Sequence, residues 1–410
     1  MNKIEAQAPE PNGIIDPEKK ALEAVAPIVA QPAVPPVEGE EILVTTQEEE
    51  RISLASNWQL VWWRFRKNVL AVISAVVLIF FAIIVLVPDF FATTDPEETN
   101  ARLAFIPTQP IHWRDEGKLK PWVPGVVGAR DPVTLQMKWT TDESQKIYLR
   151  FFGPGWSYSV LGLFKSNLHL VTSAEPTPEN QIFLLGTDRL GRDQWSRLAF
   201  ATQISMTIGM ISVILSVVLG LVLGGISGYY GGWIDNLIQR SIELLQSLPT
   251  IPIWMALTAA LPRTWPPGRV FFAITIILAL RGWTTLGREV RGRFLSLREE
   301  DFVLAAELSG ASQWRVILKH MIPTFTSHII ATSTLAIPVM IVTETSLSFL
   351  GLGMRPPAIS WGVMLQEAQN IQTLALAPWL LIPGVVVIIA VLAFNLVGDG
   401  LRDAADPYSH

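Results

Sequence analysis

Cysteine is absent from all 410 residues, which excludes disulfide staples, thiolate metal ligands and a cysteine nucleophile together. Histidine is nearly as scarce. His112, His169, His320, His328 and His410 are scattered along the chain, so the sequence offers no histidine metal cluster. Charge is thin as well: Asp, Glu, Lys and Arg make up 16% of the residues, against about 25% in an ordinary soluble domain. Also missing is any Gly-x-x-x-x-Gly-Lys-Ser/Thr run, the backbone cradle that a nucleotide phosphate requires. A secreted disulfide scaffold, a cysteine-ligated zinc protein and a P-loop nucleotide hydrolase are therefore set aside. What is present is apolar. Half the residues are hydrophobic, a composition that points to a bilayer.

The net charge of −5 hides two unlike regions. Residues 1–50 carry eleven acids, three bases and seven prolines, a net −8, whereas 51–410 carry 28 bases and 25 acids, a net +3. Low hydrophobicity, proline and like charges work against a packed core, so 1–57 is expected to be a disordered acidic tail. It lacks a basic stretch followed by an apolar core and so does not read as a signal peptide.

Six segments are apolar enough to cross a membrane, which takes about 20 residues as helix: Val69–Val87, Ile204–Ile226, Leu244–Leu261, Val270–Leu286, Thr326–Leu350 and Leu376–Val397. Pro249 and Pro252 fall inside the third, and Pro338 and Pro383 mark expected kinks in the last two. Gly209, Gly220, Gly224 and Gly225 make the second suited to close packing against other helices. The bias of Lys and Arg in short loops sets the expected direction. Arg64, Arg66 and Lys67 precede span one, and Arg288, Arg291, Arg293, Arg298, Arg315 and Lys319 lie between spans four and five. Both termini and the 288–320 loop are thus expected in the cytoplasm. The domain plan is a first span within 58–88, an extracellular segment over 89–200 and a five-helix core over 201–408. The outer segment holds Trp113, Trp122, Trp139 and Trp156 and is expected to form a small ordered lobe or an irregular cap, with no fold assigned.

The stretch 296–323 is the most informative part of the chain. Ser296 and Glu299 have capping-box spacing, and Glu299, Glu300 and Asp301 complement a helix dipole in a first turn. Gly310 is placed to stop that helix in a left-handed conformation. Ser312 is placed to cap a second helix, with Trp314, Ile317 and Leu318 spaced for one face. Two short helices meeting at a glycine would form a compact knob; the plain alternative is a solvated linker between spans.

Here the sequence resembles a family. Leu304-Ala305-Ala306, Gly310 and Ile322-Pro323 look like the EAA loop of ABC-type importer permeases. Further runs resemble the "C" type of dipeptide/oligopeptide permease: Gly186-Thr-Asp-Arg-Leu-Gly-Arg-Asp193 with Ser196-Arg197 and Ile204-Ser205, then Gly231-Gly232-Trp-Ile-Asp235. The set continues with Glu344-Thr-Ser-Leu-Ser-Phe-Leu-Gly-Leu-Gly353, Trp361-Gly362 and Asp399-Gly-Leu-Arg-Asp-Ala-Ala-Asp-Pro407. The likeness covers roughly 58–88 and 183–408, in order. Two departures stand out: Leu304 occupies the place of the motif glutamate, with Glu307 three positions later, and the 89–200 segment and acidic tail are longer than usual.

The resemblance implies an all-α membrane protein of six transmembrane helices, the type I importer permease kind, with an extracellular insertion between helices one and two. It implies a non-enzymatic transport subunit in the plasma or inner membrane, forming a pathway with a second homologous permease. It further implies two ATPase subunits that use ATP and Mg, an extracytoplasmic binding protein that delivers peptides, no cofactor or metal on this chain and no nucleic-acid partner. The ATPase contact it implies is Asp301, Ala305, Ala306, Glu307, Gly310, Ala311 and Arg315. The outer motif is Asp188, Gly191, Arg192 and Asp193. Asp188 and Asp193 could chelate a cation, although turn formation is the simpler role for such aspartates. Glu344 is expected near the outer end of span five in an interfacial or packing role, Arg281 to snorkel to the headgroups, and His328 to be hydrogen-bonded within the bundle. The main rival is a gradient-driven secondary transporter or channel, which would be expected to carry more midplane ionisable residues.

Overall fold

The computed structural model describes residues 57–405, apart from 131, 133–136, 161, 176, 178 and 179. The expected disordered tail lies outside the described residues except for its last position, as do Asp406 and Pro407 of the C-terminal motif. The chain opens with α1 (Asn57–Lys67), α2 (Val69–Leu86) and the short α3 (Pro88–Phe91). Asn68 separates the first two and accepts the Ala71 N–H on its side chain, so α2 begins with a satisfied cap. After the insertion come α4 (Gln194–Tyr230), α5 (Gly232–Ser247), α6 (Thr250–Ala259) and α7 (Pro267–Leu297). The knob contains α8 (Asp301–Leu308) and α9 (Gln313–Arg315), followed by α10 (Thr326–Phe349), α11 (Trp361–Gln366), α12 (Ile371–Leu376) and α13 (Ile382–Ala405).

Among the described residues, five helical stretches are long and apolar enough to cross a membrane: Val69–Leu86, Gln194–Tyr230, Pro267–Leu297, Gln313–Phe349 and Pro378–Ala404. The third expected span is different. Leu248 is extended, as a residue before proline tends to be, so Leu244–Leu261 is split between the end of α5 and the ten-residue apolar α6. The last expected span also starts later. Pro383 lies in the first turn of α13, where its missing N–H costs no hydrogen bond, so it starts this helix instead of kinking it. Pro338, by contrast, is inside α10.

Residues 89–200 hold the one strand-rich part of the described chain. β1 (His112–Asp115), β2 (Lys118–Arg130), β3 (Met137–Val160) and β4 (Phe164–Ser173) form an antiparallel sheet in the order β1-β2-β3-β4. Glu116 and Gly117 both have positive φ in the two-residue connection of β1 to β2, the backbone of a primed hairpin turn. The long β3 pairs with β2 over its first half and with β4 over its second. One face of this lobe is apolar: Val123, Ile147, Leu149, Val171, Ile182 and Leu184 are buried together, with Trp195 of α4 against them. His169 of β4 ties the lobe to the end of the first span, its Nδ1 lying 2.9 Å from both the Asp89 and Ala92 carbonyl oxygens.

The helices pack through clusters in which large apolar side chains are set beside small ones. Ala201, Met206, Ile341, Trp361, Ala390 and Phe394 with Phe81 join α2, α4, α10, α11 and α13 in one buried cluster. A second cluster, containing Leu286, Val290, Phe294, Val303, Val316 and Ile317, carries the core from α7 into the knob.

Candidate functional site

Two groups of predicted residues sit at opposite ends of α4, a helix of 37 residues and therefore about 55 Å long. At its C-terminal end is the knob. The structure moves the helix start: Ser296 lies within the last turn of α7, and Glu300 occupies the N-cap of α8 without a side-chain bond, so the capping box does not form. The register is set instead by α7, which runs on to Leu297 and buries Phe294 beneath the knob. Asp301 does stand in the first turn of α8.

The stop is as expected. Gly310 has φ +79°, its N–H donates to Glu307 O at 2.9 Å, and Ala311 N–H donates to Ala306 O at 3.1 Å. These two bonds define a Schellman termination, which needs a left-handed residue where a side chain is costly. Ser312 takes the N-cap position of α9 without a side-chain bond. That helix is a single turn and runs into a π-helical segment, Val316–Met321. Pro323, two residues on, has no N–H to continue a regular ladder. The altered winding overturns the expected common face: Ile317 is buried with Val316 and Met321, whereas Trp314 and Leu318 are exposed.

The seven predicted contact residues divide accordingly. Asp301, Ala305, Glu307, Gly310 and Arg315 are on the surface, while Ala306 and Ala311 turn toward the buried cluster. The predicted contact set left out the exposed apolar neighbours Leu304, Trp314 and Leu318, which the sequence singled out for other reasons, and Phe302 and Leu308, which it did not; Leu308 is 91% exposed. The set also left out two tyrosines at the end of α4. The Tyr229 hydroxyl donates to Glu307 Oε1 at 2.7 Å, and the Tyr230 hydroxyl donates to Gln313 Oε1 at 2.8 Å, so both halves of the knob are tied to one long helix. Nearby, Arg291 Nε and Nη2 each donate to an Asp235 carboxylate oxygen at 2.6 Å, joining α7 to α5. That pairing holds the Asp235 carboxyl below its ordinary range, with a bond from Ser227 adding to it.

At the other end of α4, the Asp188–Asp193 motif is a buried polar lock. Asp188 Oδ1 accepts the Leu190 and Arg192 N–H groups, and its Oδ2 accepts Arg192 Nε at 2.6 Å. Arg192 Nη2 reaches Glu367 Oε1, also at 2.6 Å. Arg197 stands 3.7 Å from Asp188 and 3.8 Å from Glu367. Asp193 caps α4: its Oδ2 accepts the Ser196 N–H and hydroxyl and the Thr93 hydroxyl. Burial pushes the Asp193 and Glu367 carboxyls above their ordinary range, against the pull of these partners. Gly191, at φ +72°, has no room for a side chain, since a Cβ would meet Asn100 O at 1.9 Å. The oxygens of Asp188 therefore face amides and guanidinium, a poor cation site, and no metal-ligating cluster occurs among the described residues. Glu367 was not foreseen, being 175 residues from Arg192 in sequence.

Three further expectations concern ionisable groups in or beside the spans. Glu344 is fully buried in α10 and accepts the hydroxyls of Ser205 at 2.8 Å and Ser348 at 2.7 Å; Ser205 Oγ in turn accepts the Trp361 N–H. It is a helix-packing hub. His328 Nε2 is 3.3 Å from Glu289 Oε2 of α7. Arg281 does not behave as a simple snorkel: its Nη1 donates to Thr284 Oγ1 at 2.9 Å, and its Nε is buried without a partner.

The chain is similar to known transport proteins along most of its helical part. Residues 216–408 match the family of binding-protein-dependent transport system inner membrane components. Residues 56–110 match the N-terminal transmembrane domain of oligopeptide transport permease C. A dipeptide transport system permease protein of Alkalihalophilus pseudofirmus is 36% identical over 258 residues, 61% of this chain and 82% of the relative. An oligopeptide transport system permease protein of Salmonella typhimurium is 38% identical over 245 residues, 60% and 78% of the two chains. A glutathione transport system permease protein of Pectobacterium atrosepticum is 38% identical over 224 residues, 54% and 72% of the two chains.

Proposed function

Because the chain belongs to the family of binding-protein-dependent transport system inner membrane components, we propose that it is the pathway-forming permease subunit of an ATP-driven peptide importer. The knob carries the reading. Phe302, Leu304, Leu308, Trp314 and Leu318 present apolar surface to solvent beside Asp301, Glu307 and Arg315. Fully burying one such side chain is worth about 1.5–3 kcal/mol, and a patch of this kind marks an interaction site. Its partner is an ATPase subunit, with Asp301, Ala305, Glu307, Gly310 and Arg315 at the contact and Ala306 and Ala311 holding the knob's shape beneath it. A second, homologous permease completes the pathway, two ATPase subunits use ATP and Mg, and an extracytoplasmic binding protein delivers the solute. Peptides are the solute class, since the relatives are named for dipeptides, oligopeptides and glutathione.

In this reading the protein lies in the cell membrane with both termini and the knob in the cytoplasm, and the Asp188–Asp193 lock and sheet lobe outside. This chain itself performs no hydrolysis. Movement of the knob reaches the bundle through Tyr229 and Tyr230 and through the buried cluster shared with α7, so that ATPase closure shifts the balance between two states of the pathway. The test is affinity purification of the full chain from native membranes, followed by mass spectrometry and an ATPase assay. Recovery of a second permease and ATPase subunits, with hydrolysis raised by a peptide-loaded binding protein, is the expected result. The chain recovered alone, with solute flux that follows an ion gradient, would overturn it in favour of a secondary transporter.

A further inference from the structure

Arg281 is the fifteenth residue of the 31-residue α7, within an apolar stretch whose flanking charges are Arg269 and Arg288. Its guanidinium makes no ion pair with any described residue: the one hydrogen bond it donates is to Thr284 Oγ1, and Nε is buried and unpartnered. It lines a cavity of about 300 Å³ between α4, α6, α7 and α10. A second orphan donor lines the same cavity, the buried indole Nε1 of Trp254 on α6. Around them are the hydroxyl residues Ser216, Thr250, Thr285, Thr332 and Ser333, and the remaining wall is Gly, Val, Leu, Ala and Met. A cation inside a membrane is costly and is kept where it has a partner or a task. A buried donor without an acceptor likewise carries a penalty. Here two such donors converge on one space, and among the described residues no carboxylate lines it.

We propose that this cavity is a way-station for the carboxylate of the translocating solute, with the Arg281 guanidinium as the counter-charge, Trp254 Nε1 as a second donor and the apolar wall accepting varied side chains. The guanidinium fork matches a carboxylate geometrically, and a cavity of this size is at the lower end of small-ligand pockets, suited to one terminus of a peptide and not to a long chain. The proposal rests on the importer reading for the identity of the solute, but its geometry is a property of this chain alone.

The test uses the full-length chain, purified with whatever subunits accompany it, in nanodiscs of phosphatidylcholine. Phenylglyoxal modifies arginine, and mass spectrometry reads the rate at position 281. Millimolar trialanine is expected to slow that rate about tenfold, while trialanine amide, which lacks the carboxylate, leaves it unchanged; a tenfold effect is about 1.4 kcal/mol. Equal protection by both, protection by neither, or an Arg281 that never reacts overturns the proposal. Protection by phosphatidylglycerol discs without peptide would also overturn it, assigning the site to a lipid headgroup. In reconstituted uptake, Arg281→Gln is expected to lower the preference for free acid over amide about tenfold, with Arg281→Lys, which keeps the charge but not the fork, retaining only part of it. Protection without any ATP-driven uptake would sink the importer reading alone, and uptake with no acid preference in the unmodified protein would sink this one alone.

Discussion

Gly224 of α4 and Gly287 of α7 meet backbone to backbone: a Cβ on Gly224 would lie 2.4 Å from the Gly287 carbonyl oxygen. The approach continues on both sides, with Gly220 against Leu286 and Gly228 against Arg291 and Phe294. Close packing of this kind is how helices associate where lipid removes the hydrophobic driving force. Gly224→Val is expected to lower stability by about 1–3 kcal/mol or more, the cost of overpacking, seen as a lower thermal midpoint of the purified protein. Gly268→Ala, where no atom lies within 4 Å of the added carbon, is expected to leave the midpoint unchanged.

Glu367 closes the lock between Arg192 and the start of α4. Without Glu367 the buried Arg192 and Arg197 guanidiniums share the single carboxylate of Asp188, and breaking a buried pair costs about 3–5 kcal/mol. Glu367→Ala is therefore expected to lower the thermal midpoint markedly. A double variant with Arg192→Met is expected to recover only part of the loss, because it restores one guanidinium to one carboxylate but takes from Asp188 its partner at 2.6 Å.

Asp235 gives a pH prediction of definite sign. Its carboxyl is held below the ordinary carboxylate range by Arg291 first, with Ser227 adding to that pull against the opposing effect of burial. The unfolded chain therefore takes up this proton at higher pH than the folded chain does. The stabilisation is present above the ordinary carboxylate range and is lost as pH falls through the lowered folded value. Asp235→Asn is expected to cost about 1.5–3 kcal/mol at neutral pH, the value of bonds to a charged group. The gap between the two proteins is expected to close only in strong acid, as measured by denaturant midpoints across pH.

Gly310→Asp is expected to reduce uptake at normal membrane abundance. No atom lies within 4 Å of the position its Cβ would take, so the effect is not a clash. It combines the left-handed φ of +79°, costing about 1–2 kcal/mol for a residue with a side chain, with a charge placed among apolar contact residues. Normal uptake in this variant would remove the coupling role from the knob.

Tyr229→Phe separates coupling from folding. It deletes one hydrogen bond to Glu307 near the surface, worth about 0.5–1.5 kcal/mol. Thermal stability is expected to change little, while stimulation of the ATPase by loaded binding protein falls. An unchanged stimulation would place the transmission path in the buried cluster under the knob instead.

Much of this was written locally. The apolar runs at 69–87 and 326–350 are helices within a residue or two of their expected ends, because a span needs only length and apolarity. Gly310 was legible for a similar reason: a left-handed stop is a property of four or five neighbouring residues. The misses are equally physical. Pro249 divides what hydropathy reads as one span, since an average over a window does not see the restriction on Leu248. Ser296 has the spacing of a cap but sits where α7 has not yet ended, held there by the burial of Phe294.

The sequence by itself determined that the chain belongs in a bilayer, where its longest apolar helices run and which turn ends α8, because these depend on composition and on neighbours in the chain. Only the tertiary structure decided that Glu367 belongs with Arg192, that Tyr229 holds Glu307 and that 112–173 folds as a sheet docked on the first span. It also decided that Arg281 and Trp254 share one cavity. Those facts join residues far apart in sequence, and a side chain's partner across the fold is fixed by packing, which no local pattern encodes.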